Sequence, residues 1–111
     1  MNKKIIYYNN HFIEFFQKLD GKVKEKIKYV LVLIKQVEKV PEKFLKHLSG
    51  TNGLYEIRIE YQSNIYRIFC CFDKGKLVVL FNGFQKKTQK TPQIELDKAL
   101  ILMNEYFQHK K

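Results

Sequence analysis

Arginine occurs twice in the chain, as Arg58 in YEIRI and Arg67 in IYRIF. Downstream, FNGFQKKTQKTP carries Lys86, Lys87 and Lys90 with no acidic residue among them. Guanidinium forks beside ammonium groups suit phosphate oxygens. An RNA phosphodiester can be cut with such groups, because its own 2′-OH is the nucleophile. The protein must deprotonate that hydroxyl, stabilise the charge that gathers on phosphorus, and protonate the leaving oxygen. Arg58 and Arg67 suit the middle task. A lysine suits proton transfer when neighbouring cations lower its pKa, and Lys86, beside Lys87, is the candidate.

Other chemistries find less in the sequence. No His or carboxylate pair has metal-ligand spacing on an expected helix or loop, so no metal or cofactor is expected. Glu56 and Glu60 share a strand face, but Arg58 between them makes a charge ladder rather than a paired-carboxylate site. There is no Gly-rich phosphate loop and no Cys–His arrangement. His47 precedes a loop and could act as an acid or base. Cys70 and Cys71 are adjacent in a strand pattern, so they point to opposite faces as reduced core thiols.

These residues need a scaffold. A length of 111 residues suits one domain, 1–111, and a composition 45% apolar and 14% aromatic is globular. The formal charge of +10 favours polyanionic partners, nucleic acid first. The apolar stretch in MNKKIIYYNNHF is too short for a signal-peptide core. The longest apolar run, Tyr29 to Ile34, is far below a membrane span. A cytoplasmic protein with no membrane contact is expected.

The spacing predicts a strand over 3–8, then a helix with Phe12, Phe15, Phe16 and Leu19 on one stripe. Asp20-Gly21 stops it. A second helix over 22–39 buries Val23, Ile27, Val30, Leu31, Ile34 and Val37, and Pro41 ends it. Phe44, Leu45 and Leu48 form one more helical turn before the loop Ser49–Gly53. Strands follow at 54–62, 64–72 and 76–84, with Ser63-Asn64 and Lys74-Gly75 as turns. A last helix begins at Thr91-Pro92, with Thr91 as N-cap and Pro92 at N1. Leu96, Leu100, Met103 and Phe107 line its core face. The order β-α-α-β-β-β-α is a small α+β domain, an antiparallel sheet with helices packed on one face.

Parity places the arginines. A two-residue Ser63-Asn64 turn sets Glu60 opposite Arg67, so Arg58 and Arg67 are diagonal neighbours on one sheet face. The other face gathers Tyr55, Ile57, Ile59, Tyr61, Tyr66, Ile68, Cys70 and Phe72 under the helices. The arginines then share an open face with Glu56 and Glu60; the plainer alternative to a phosphate site there is a pair of surface ion pairs, Arg67 with Glu60 and Arg58 with either glutamate. A two-residue turn at Lys74-Gly75 adds Asn82, Phe84 and Lys86 to that face. A three-residue turn adds Phe81 and Gly83 instead.

The run GLYEIRIEY, followed by NIYRIFCCFDKGKLVVLFNGFQKKTQKTPQIELDKA, resembles the HigB-like, phage-derived branch of the RelE/ParE toxin superfamily. The shared pattern is L-x-E-x-R, then Y-R, then a strand ending in G-F-x-K-K-T, then a T-P helix. It covers about residues 44 to 107. The resemblance implies the RelE-like fold and a type II toxin that cuts mRNA, usually on the ribosome and without metal. It also implies a cognate HigA-like antitoxin with a helix-turn-helix domain. By motif it carries the site to Arg58, Arg67, Lys86 and Lys87, with Lys46, His47 and Lys90 as RNA-binding candidates. Tyr106, in the last helix, reads as packing. A ParE-like gyrase poison and a nucleic-acid-binding module without chemistry are the alternatives.

Overall fold

The computed structural model of the chain describes residues 2–110. Its elements are β1 (Lys4–Tyr7), α1 (His11–Gln17), α2 (Gly21–Gln36), β2 (Leu45–His47), β3 (Tyr55–Tyr61), β4 (Asn64–Asp73), β5 (Leu77–Lys86) and α3 (Gln93–His109). The strands form one sheet in the order β1-β5-β4-β3-β2. The last four strands pair antiparallel, while β1 pairs β5 in parallel. The sheet is therefore mixed rather than antiparallel throughout. No helix among the described residues is long and apolar enough to cross a membrane.

Two apolar layers sandwich the sheet. On one face α1 and α2 bury Phe12, Val23, Ile27, Val30 and Ile34 against Ile57, Ile59, Tyr66, Ile68 and Cys70. On the other, α3 buries Ala99, Leu102 and Met103 against Leu54, Phe69, Cys71, Val79 and Phe81. The expectation of helices on one face fails here. The cause is in β4 and β5, which are apolar on both faces and need cover on both. Cys70 and Cys71 divide between the two layers as free, buried thiols. Burial raises both thiol pKa values, that of Cys71 to about 12.

Local departures have local causes. Residues 45–47 form a strand on the sheet edge instead of a helical turn, since Leu45, Lys46 and His47 pair with Ile57, Glu56 and Tyr55. The β3–β4 turn is Gln62-Ser63, both with positive φ (49° and 70°), closing the pair Tyr61–Asn64. Positive φ at both central residues suits the twist of a two-residue hairpin. Pro92 sits at the N-cap of α3, one position earlier than expected, and makes no side-chain cap. In the same helix Phe107 is 42% exposed, so the buried stripe is rotated from the expected one. Gly83 lets α1 approach: a Cβ there would meet the Phe15 ring at 2.6 Å.

The end of α3 is tied to the end of β4. The Tyr106 hydroxyl donates to Asp73 Oδ2 at 2.7 Å, and Lys110 Nζ donates to both carboxylate oxygens at 2.8 Å. The hydrogen bond from Lys110, then that from Tyr106, hold the Asp73 carboxyl below its ordinary pKa. Such a group stabilises the fold above the unfolded value of about 3.9. The contribution is lost as pH falls through the depressed folded value. Asp73→Asn is expected to lower the urea midpoint at neutral pH. The gap from wild type should narrow as pH falls below about 4, and urea titrations across pH check this.

Candidate nucleic-acid interface

Pairing sets the site. Arg58 lies directly opposite Arg67, and Arg67 opposite Phe84. The next row is Glu60–Ile65–Lys86. The arginines are thus direct partners, not diagonal ones, because the turn is Gln62-Ser63 rather than Ser63-Asn64. The shift is by an even step, so the expected face is kept.

That face is not free of helices. The α3 layer covers the rows of Phe69 and Cys71, while Arg58, Arg67 and the row beyond stay outside its apolar cluster. The β5 pattern combines both expected turns. The loop after β4 has three residues, since Asp73 pairs with Leu77. A bulge then sets two residues, Phe81 and Asn82, against Phe69, between the pairs Ile68–Gly83 and Cys70–Leu80. The extra residue returns Phe84 and Lys86 to the arginine face. Lys86 is a diagonal neighbour of Arg67, about 7–8 Å away between Cα atoms.

Glu56 is the anion at the centre. Its Oε1 accepts from Arg58 Nε at 3.1 Å and lies 3.4 Å from Arg67 Nε. Glu60 is exposed and takes neither ion pair. The Glu56 side chain is 4% exposed, Arg67 11% and Arg58 28%. Solvent therefore screens this triad less than a surface pair. Burial is the main influence lowering the Arg67 pKa; Glu56 opposes it, and Arg58 adds to the lowering. Arg67 Nη1 donates to the Tyr66 carbonyl at 3.2 Å, which fixes the plane of the guanidinium.

Beside the triad opens a cavity of about 440 Å³ lined by Lys26, Lys43, Phe44, Arg58, Ile59, Glu60 and Arg67. It lies where β2 begins, beyond the Leu45–Ile57 pair, where the Phe44 carbonyl accepts from Arg58 N at 2.8 Å. Four cations face one exposed carboxylate there. A second recess of about 410 Å³, lined by Ser63, Ile65, Lys86, Lys87, Thr88 and Gln89, follows along the row through Ile65. The arrangement offers two anion positions side by side across the strands.

Of the expected site residues, Arg58 and Arg67 share the first cavity, and Lys86 and Lys87 share the second. Lys46 pairs with Glu56 and lies on the arginine face. Lys90 is exposed in the loop after β5, where its carbonyl accepts from Thr88 Oγ1. His47 is on the opposite face, its ring edge-on to Tyr55 at 5.1 Å. The alternation of a strand puts it there, so it stands apart from the arginines. Lys26 and Lys43 were missed, because nothing local marks them among the other lysines. Tyr106, hydrogen-bonded to Asp73, sits at the far end of β4 and outside both recesses.

Residues 14–104 match the model of a family described as phage-derived protein Gp49-like (DUF891). The chain belongs to that Gp49-like family. It is a RelE-like toxin family. No curated protein matches the sequence. Among solved structures, the Gp49-like chain is similar to one in the archaeal RelE–RelB complex from Pyrococcus horikoshii OT3. The TM-score is 0.58 and the identity 17%, over 82% of this chain and 100% of that one. It is also similar to one in the RelB–RelE antitoxin–toxin complex from Methanococcus jannaschii. There the TM-score is 0.55 and the identity 14%, over 78% of this chain and 99% of that one. At these identities the likeness shows the RelE-like fold, which agrees with the α+β order read from the sequence.

Proposed function

We propose that this Gp49-like protein is the toxin of a type II toxin–antitoxin pair and cuts mRNA on the ribosome. The observation that carries the reading is the half-buried pair Arg58–Arg67, opening with Lys26 and Lys43 into one cavity. Two guanidiniums and two ammoniums around a groove favour a phosphodiester, whose charge increases as the 2′-oxygen attacks. In that step the P–O2′ bond forms and the P–O5′ bond breaks. The 2′-OH gives up a proton and the leaving O5′ gains one. Lys86, next along the face, is the residue proposed for proton transfer, and Lys87 steadies the neighbouring phosphate. The products are a 2′,3′-cyclic phosphate and a 5′-OH end. None of this needs a bound metal.

The solved relatives are complexes with antitoxins, which supports an antitoxin partner. A HigA-like protein with a helix-turn-helix domain is the proposed one. Expression without that partner is expected to arrest growth and fragment translated messages. Blocking initiation should protect the messages. Arrest with whole messages and accumulating DNA breaks would instead make the protein a gyrase poison.

A further inference from the structure

Two like charges directly opposite on neighbouring strands repel and destabilise the pairing. Arg58 and Arg67 are such a pair. Between them, on the same face, sits a carboxylate that the chemistry above does not use. Glu56 is one of three buried polar or charged side chains among the described residues. Its Oε1 faces the Nε atoms of both arginines. Its Oε2 is buried without a hydrogen-bond partner, and so is Arg67 Nε. A carboxylate held this way contributes charge and direction more than hydrogen bonds.

We infer that Glu56 is a positioning residue for the reaction. It draws both guanidiniums inward by Nε; with Arg67 Nη1 on the Tyr66 carbonyl, Arg67 Nη2 and the Nη nitrogens of Arg58 are left to meet the same phosphate. The inference rests on the ribonuclease reading, and it assigns the orientation of the two arginines to one buried charge. Glu56 is too enclosed to meet substrate, so it acts through the arginines alone.

Glu56→Gln keeps the shape and removes the charge. A site one charge more positive should bind a 2′-O-methyl RNA oligonucleotide at least as tightly as wild type. Single-turnover cleavage of a message on programmed ribosomes should fall at least tenfold. A residue needed only for the fold would weaken binding and cleavage together, in step with a lower melting temperature, and that outcome overturns the inference.

The chain has only two arginines, so its arginine Nε–H spectrum is simple. In wild type both signals should exchange slowly with solvent. In the Gln variant the Arg58 signal should exchange at least tenfold faster. Unchanged signals, or unchanged cleavage, overturn the proposal. Should Glu56→Gln fail to fold, Glu56→Asp keeps the charge but withdraws it by one methylene. It should show the same split at threefold or more, and a wild-type cleavage rate there counts against the inference. If the wild type leaves messages whole, the ribonuclease reading falls, and the exchange rates still decide whether Glu56 holds the arginines.

Discussion

Arg67→Ala is expected to slow message cleavage by about 10²–10³-fold, the usual effect of removing one preorganised donor aimed at developing charge. Arg67 is the more buried arginine, its guanidinium plane fixed by the Tyr66 carbonyl and its Nε facing Glu56. A donor already held in place needs no reorganisation as charge builds on phosphorus. Arg67→Lys should recover only a small part of the loss, because an ammonium keeps the charge but not the fork. Both variants should remain folded, since Glu56 retains its 3.1 Å hydrogen bond from Arg58. Adding Lys86→Ala should abolish cleavage. Single-turnover rates beside a thermal melt check all three variants. A wild-type rate in Arg67→Ala would remove the arginine from the site.

Phe69→Ala should be the most damaging change to the fold. Phe69 is fully buried in the α3 layer, opposite the β5 bulge, with its ring 5.7 Å from that of Phe84. Truncating a buried Phe costs about 3–5 kcal/mol, because a cavity is left as well as lost burial. Small domains have about 5–15 kcal/mol in all. The variant should therefore unfold at much lower denaturant, with a loss of that size from linear extrapolation. Phe84 shares a row with Arg67. Loosening Phe69 should thus reduce cleavage even where the protein is still folded.

The core and the arginine face were legible because their signals are periodic. Tyr55, Ile57, Ile59 and Tyr61 alternate with polar residues, and any even turn puts Arg58 and Arg67 together. The register was not legible: Ser63-Asn64 has turn-favouring residue types, but the turn falls one residue earlier, on Gln62 and Ser63, which adopt positive φ without being glycine. The bulge was hidden because β5 is apolar on both faces and shows no break in pattern. Those same two-sided strands were the sign that a helix must cover the second face. Phe44, Leu45 and Leu48 fit a helical turn as well as an edge strand, and pairing with β3 decided for the strand. As a strand residue paired with Tyr55, His47 alternates to the face opposite the arginines. Lys26 and Lys43 come to the site from distant segments, and a single sequence carries no mark of that convergence.

Cleavage of RNA by a cation-lined groove through the RNA's own hydroxyl leaves defined chemistry at the new ends. The most direct test is to incubate purified wild-type protein with ribosomes translating a defined message and analyse the chemistry of the new ends. The expected result is 5′-OH and 2′,3′-cyclic phosphate ends, absent with the Arg58→Ala/Arg67→Ala variant. An intact message, or fragments bearing 5′-phosphates, would contradict it.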